Sequence, residues 1–179
     1  MELIKKLLPD VNLISIKYQK DIRGEFKKNY NFDDFNKLGI NFLPKESYIS
    51  KSSLNVLRGM HYQIGNYAQT KLVSCISGKI LDVIVDIRPN STNYNKPISY
   101  VLDEEKPEVI MIGKGYAHGF LSLSKNSIMS YLTSTVYAPK FDCGILWSSI
   151  DFEWPLTKPI LSERDKLHPL IGKHKCEFS

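Results

Sequence analysis

Cysteine is scarce in this sequence: Cys75, Cys143 and Cys176 are the only three in 179 residues, and they show no short, regular spacing. An odd, scattered set argues against a disulfide framework or a zinc knuckle and for reduced thiols, as in a cytoplasm. Long apolar runs are missing too. None approaches the roughly 20 residues that span a bilayer, and Met1-Glu2-Leu3-Ile4-Lys5-Lys6 lacks the continuous apolar stretch of a signal peptide. The expectation is a soluble, cytoplasmic protein with no membrane partner. The basic residues behind the net charge of +5 are spread along the chain and form no block. Nucleic acid is therefore not an expected partner, while a small anionic ligand suits the charge. No glycine-rich dinucleotide fingerprint is present. Linkers, repeats and low-complexity segments are absent as well, which predicts one domain over 1–179. Helical patterning is confined to a short stretch, 33–38, ended by Gly39.

Strand signals fill the space that helices leave, from about residue 47 onward. The β-rich run 72–77 stops at Gly78. The run 80–87 then alternates, with Asp82, Ile84 and Asp86 opposite in parity to Leu81, Val83, Val85 and Ile87. A tight turn at Gly78-Lys79 between two such runs predicts a hairpin. Further short runs at 56–57, 98–102, 109–112, 119–123 and 127–136 are separated by turn residues such as Pro89-Asn90, Pro107 and Gly113-Lys114-Gly115. Many short strands so spaced indicate an all-β sandwich or barrel, with a jelly roll as one option. Periodicity does not supply the topology.

The residues able to do chemistry are concentrated in a few blocks. Arg58-Gly59-Met60-His61-Tyr62-Gln63 has strand spacing, which places Arg58, Met60 and Tyr62 on one face and Gly59, His61 and Gln63 on the other. Lys71 opens the next apolar strand. Gly115-Tyr116-Ala117-His118-Gly119-Phe120 sets a second histidine between glycines, and Tyr131 and Tyr137 share a parity if their strand is unbroken. Histidine, tyrosine, lysine and a carboxylate suit proton transfer beside a carbonyl: one group removes the proton, another returns it, and a cation stabilises the enolate oxygen. Each residue alone has an ordinary structural explanation, as core tyrosine, turn glycine or edge lysine.

Order and spacing carry more than the single residues. Asp21-x-Arg23-Gly24, Ser50-x-Ser52, Val56-Leu57-Arg58-Gly59-Met60-His61-Tyr62-Gln63, Gln69-x-Lys71-Leu72-Val73, Asp82-Val83-x-Val85-Asp86-x-Arg88, Ala117-His118-Gly119-Phe120, Tyr131, Tyr137-Ala138-Pro139, Trp154-Pro155 and Leu161-Ser162-x-x-Asp165 follow one another along almost the whole chain. Together they resemble the dTDP-4-dehydrorhamnose 3,5-epimerase family. That resemblance implies an all-β, cupin-like jelly-roll barrel with short peripheral helices, usually a homodimer. It implies epimerisation at C3 and/or C5 of a nucleotide-linked 4-keto-6-deoxy sugar for a cell-surface polysaccharide, with no cofactor and no metal. By position, His61 matches the base, Asp165 the carboxylate that orients it, Lys71 the group facing the enolate oxygen and Tyr131 the acid. Arg23 and Arg58 match diphosphate contacts, His118 and Tyr137 line the pocket, and Ser50 and Gln63 fall with the substrate-binding set.

Three departures fall together. Lys28, Glu46 and Tyr48 stand where the family usually carries glutamate, glutamine and asparagine, at what the resemblance makes the nucleotide end. Glu46 could accept from guanine N1–H and N2–H₂, Lys28 could meet O6, and Tyr48 could stack on a purine, so GDP is the expected carrier in place of dTDP. A nucleotide-sugar 3,4-ketoisomerase and a non-catalytic sugar-binding cupin are the alternatives. Metal-dependent cupins gather two close histidines plus a glutamate and a later histidine. Here His168 and His174 lie near the tail, far from His61 in sequence.

Overall fold

The computed structural model describes residues 1–178. Thirteen strands dominate: β1 (Glu2–Leu8), β2 (Val11–Ser15), β3 (Lys17–Asp21), β4 (Gly24–Lys28), β5 (Glu46–Ser52), β6 (Leu57–Gln63), β7 (Lys71–Ser77), β8 (Lys79–Asp86), β9 (Pro97–Asp103), β10 (Glu108–Ile112), β11 (Tyr116–Ser122), β12 (Ser127–Thr133) and β13 (Asp142–Gly144). Two short helices accompany them, α1 (Phe32–Lys37) and α2 (Glu163–Lys166). Six strands form one antiparallel sheet in the order β1-β2-β10-β7-β12-β5, and five form a second in the order β13-β6-β11-β8-β9. β3 and β4 make a separate two-stranded ribbon. The fold is a cupin-like jelly roll, as the resemblance implies.

Three apolar clusters hold the layers. The first lies between the sheets, where Val73, Ile110 and Met129 from the six-stranded sheet meet Ile80, Ile84, Leu102 and Phe120 from the other. The second coats the outer face of the five-stranded sheet, with Met60, Val83, Val85 and Ala117 under Ile145, Ile150, Trp154 and Ile171 of the C-terminal segment. The third packs α1 and the loop after it onto the six-stranded sheet through Phe35 and Phe42. Those two rings are essentially inaccessible, and each contributes on the order of 2 kcal/mol by leaving water. Asn31 caps α1, its side chain accepting from Asp34 N–H at 3.0 Å.

The predicted hairpin at Gly78 does not form. β7 lies between β10 and β12, while β8 lies between β11 and β9 in the opposite sheet. Gly78, at φ 77°, turns the chain from one layer to the other. Both runs are buried over most of their length, because each is an inner strand covered on both faces, and burial of that kind carries no pairing information. The N-terminal strands escaped the sequence reading for the opposite reason. β1, β3 and β4 are largely exposed and rich in lysine, with no apolar alternation to mark them.

A second difference concerns face assignment in β6. His118 pairs with His61 and Phe120 with Arg58, so one intervening residue of β11 faces two of β6. This β-bulge inverts the alternation between Arg58 and His61. Both side chains consequently reach the same space, three positions apart, where strict alternation had put them on opposite faces.

Candidate active site

Side chains from both sheets line a cavity of about 460 Å³. On the side of the five-stranded sheet, His61 Nε2 lies 2.7 Å from Asp165 Oδ1. Asp165 is buried in α2, where its N–H donates to the Oγ of the capping Ser162 at 3.1 Å. Its second oxygen accepts from Gly59 N–H at 3.4 Å. His168 brings its own Nε2 to 3.4 Å from the same Oδ1 and meets the His61 ring edge-on at 5.5 Å. The His168 imidazole fills the notch left by Gly144 of β13, where any Cβ would overlap it. Burial works to raise the Asp165 carboxyl, but the nearby His168 imidazole and hydrogen bonds from His61 and Gly59 outweigh it and hold the group well below the usual carboxylate range. An ionised carboxylate has no proton to give. The proton in the 2.7 Å contact therefore sits on His61 Nε2, and Nδ1 carries the free lone pair. Burial depresses the His61 pKa more than Asp165 raises it, so the ring is neutral at pH 7.

The six-stranded sheet supplies the other side. Tyr131 of β12 is directly opposite Tyr48 of β5 in the strand register, and their rings stack at 4.6 Å between centroids and 14° between planes. His118 meets Tyr131 at 6.3 Å, edge to face. It is itself fixed by Asp82 Oδ1, 2.7 Å from His118 Nε2, with both residues buried. Burial drives the Tyr131 phenol far above the ordinary tyrosine range and pushes Tyr48 up to about 12, so both carry their protons at neutral pH. Lys71 of β7 is 6% exposed, its Nζ donating to the His61 carbonyl at 3.2 Å. Burial brings its pKa down to about 8, which leaves an ammonium poised near neutrality.

Of the residues expected from sequence, His61, Asp165, Lys71, Tyr131, Arg58, Glu46, Ser50, His118 and Tyr137 all line this cavity. Gln63 does not. It is buried, donating to the carbonyls of Tyr67 and Val136 and accepting from Ala138 N–H, and so ties the loop after β12 to β6. Arg23 sits at the tip of the β3–β4 ribbon, paired with Asp21 at 2.5 Å and 85% exposed. Lys28 pairs in register with Lys17 in the same ribbon. Neither reaches this chain's cavity. Tyr48 does, and its ring lies on that of Tyr131, whereas a base-stacking role had been expected. Tyr137 also enters differently, since β12 ends at Thr133 and the tyrosine arrives from a loop, its N–H donating to Glu46 Oε2 at 2.5 Å.

Sequence reasoning passed over Asp82, His168, Asp142 and Arg164. Asp142 and Arg164 pair at 2.6 Å on the cavity wall. Two of the four left a signal: Asp82 stands in the Asp82-Val83-x-Val85-Asp86 block with no role attached, and His168 follows Asp165 by three positions. The ligand atoms of His61, Asp165 and His168 lie within 4.8 Å of one another, a donor set that suits a transition-metal ion. The His61–Asp165 contact is at hydrogen-bond spacing, however, and an ion would have to break it.

The family model for dTDP-4-dehydrorhamnose 3,5-epimerase matches residues 5–173. The chain belongs to the dTDP-4-dehydrorhamnose 3,5-epimerase family. Members of this family are isomerases. A dTDP-4-dehydrorhamnose 3,5-epimerase of Escherichia coli K12 is 41% identical over 170 residues, covering 93% of this chain and 92% of that one. The crystal structure of the Bacillus anthracis epimerase with TDP and pyrophosphate bound superposes with a TM-score of 0.91 at 33% identity, covering 94% of this chain and 98% of the other. A Legionella pneumophila epimerase in complex with dTDP-4-keto-L-rhamnose gives a TM-score of 0.90 at 31% identity, over 96% and 93% of the two chains. No helix among the described residues is long and apolar enough to cross a membrane.

Proposed function

We propose that this chain inverts C3 and C5 of a nucleoside-diphosphate-linked 4-keto-6-deoxy sugar through an enolate. The observation that carries the reading is the pair of proton-transfer groups on opposed sheets, with the His61–Asp165 dyad on one wall and a fully protonated Tyr131 on the other. A hydrogen on a carbon beside the C4 ketone is acidified by the carbonyl. His61 Nδ1 takes that proton, the electron pair moves into the carbonyl, and the Lys71 ammonium stabilises the oxygen as it becomes negative. Tyr131 then gives its phenol proton to the opposite face of the same carbon, which inverts the centre. Water or solvent buffer restores Tyr131 and strips His61. No electron leaves the sugar, so the chain needs no redox cofactor, and turnover is expected to survive EDTA. EDTA-sensitive activity with stoichiometric bound metal would overturn that.

The names and ligands of the relatives support dTDP as the carrier. GDP keeps one supporting observation: Glu46 faces the cavity, although one of its oxygens is already engaged by Tyr137 N–H. Lys28 and Tyr48 no longer support it. Arg23 lies away from this cavity on a ribbon with Ile22 and Phe26 exposed, a surface suited to a second copy. In the homodimer we propose, Arg23 serves the partner subunit's diphosphate. Light scattering should then give a dimer, and Arg23→Ala should weaken nucleotide binding without touching exchange chemistry.

The deciding experiment incubates dTDP- and GDP-linked 4-keto-6-deoxy sugars with the protein in deuterated water. Mass gain counts the exchanged positions and NMR reads inversion. A carbonyl that moves from C4 to C3 would mean a ketoisomerase. No exchange with either carrier would overturn the reading altogether.

A further inference from the structure

We propose that Tyr48 is the positioning residue for the acid Tyr131, deciding how often a proton reaches the far face of the enolate before it returns from the near one. This rests on the epimerase reading above. The strand register sets Tyr48 and Tyr131 directly side by side, and the near-parallel stack lies against one face of the Tyr131 ring. The second restraint on that ring is the edge of His118, which Asp82 locks from behind. Among the described residues no charged group is hydrogen-bonded to the Tyr131 phenol, and the Ser50 hydroxyl is its neutral polar neighbour. The direction of the ring itself is set by packing. A phenol swings through several ångströms when its ring changes rotamer about the Cα–Cβ bond, and proton transfer to carbon needs near-contact alignment.

Glu46, Tyr48 and Ser50 all project into the cavity from alternate positions of β5, so Tyr48 is placed to meet Tyr131 by strand periodicity itself. In this chain the aromatic face of Tyr48 therefore restrains the Tyr131 ring.

The consequence is kinetic. The His61 half-reaction, abstraction and return, does not depend on Tyr48, whereas inversion does. Tyr48→Ala should leave solvent-deuterium exchange near the wild-type rate and lower the ratio of inverted to exchanged product about tenfold, the scale on which small misplacements act. The loss should fall on kcat for inversion more than on KM. Tyr48→Phe keeps the ring and should restore the wild-type ratio, because the proposal needs the face of the ring and not its hydroxyl.

An activity-independent arm uses selectively labelled tyrosine in NMR, with the Tyr131 signal assigned through Tyr131→Phe. The Tyr131 rotamer about Cα–Cβ, read from Hα–Hβ three-bond couplings, should be single in the native protein and in Tyr48→Phe, and averaged over several states in Tyr48→Ala. An unchanged ratio with an unchanged rotamer in Tyr48→Ala would overturn the proposal. A ratio lost equally in Tyr48→Phe would do so too, by moving the role to the hydroxyl. Failure of the native protein to exchange any 4-keto sugar would strike the epimerase reading instead, and the rotamer measurement would still decide on Tyr48.

Discussion

The two walls of the cavity are built on different physics. The base wall is a charged hydrogen-bond network: one carboxylate oxygen is shared by His61 at 2.7 Å and His168 at 3.4 Å, with a backbone N–H on the other oxygen. The opposite wall is a pair of stacked rings, Tyr48 on Tyr131, which meets the edge of His118 reaching across from the five-stranded sheet with Asp82 behind it. Directional bonds to an ion fix a tautomer, which a base requires. Ring packing excludes water and keeps a phenol protonated, which an acid requires. The same low dielectric thus serves both walls, lowering His61 and raising Tyr131.

The largest effect should come from breaking the base wall at its centre. His61→Asn is expected to cut deuterium exchange at C3 and C5 by about 10²–10⁴, the range that general base catalysis contributes, with circular dichroism unchanged. Exchange near the native rate would place the base elsewhere. Tyr131→Phe should cut inversion on a similar scale while exchange persists, since only the second proton transfer is lost. Equal loss of both would give Tyr131 an earlier role.

Between the walls, Lys71 sharpens the comparison through pH. The reading needs His61 neutral and Lys71 charged. Activity should rise through an acidic limb below the ordinary histidine value, because His61 is lowered, and fall through an alkaline limb near 8, because that is where buried Lys71 loses its proton. Lys71→Met should abolish the alkaline limb along with about 10²–10³ of rate, as for removal of an oxyanion donor. An alkaline limb that stays near 8 in the variant belongs to another group.

A smaller effect is expected at the rim of the base wall. His168→Ala removes one of two imidazoles from Asp165, and Gly144→Ala displaces the same ring by overlap. Both should lower kcat roughly tenfold or less, with KM steady and the acidic limb shifted in the same sense. Divergent behaviour of the two variants would show that Gly144 matters for more than His168. Smallest of all is the effect on carrier choice of Glu46→Gln. If Glu46 reads a guanine edge, the variant should lose GDP affinity relative to dTDP by several-fold. No change would leave Glu46 as the anchor of the Tyr137 loop.

How far the sequence spoke depended on what each feature needed. That His61, Tyr131 and Lys71 share one cavity was legible because they stand in ordered blocks that resemble one family's pattern. The sheet pairing at Gly78 was not, because two inner strands look alike whether they pair or part. Arg58 and His61 were assigned to opposite faces, since a bulge leaves no trace in alternation. His168 looked like a tail residue although it stands three positions after Asp165 and meets it within one turn; what no local pattern encodes is the return of that segment across the five-stranded sheet to His61. Tyr48 was visible as a departure, but its neighbour was not, because register is a property of two strands.

That return has a temporal side. Asp165 lies 104 residues beyond the histidine it orients, and the strand that faces His61 on the outer edge, β13, also comes late in the chain. In a jelly roll whose neighbouring strands are mostly distant in sequence, closure is slow, on the order of milliseconds to seconds. Until the segment around Asp165 has packed, the His61 ring lacks the 2.7 Å contact that fixes its tautomer. The same segment covers the outer face of the five-stranded sheet, so the order of the His61 ring and the completion of that core are one folding event.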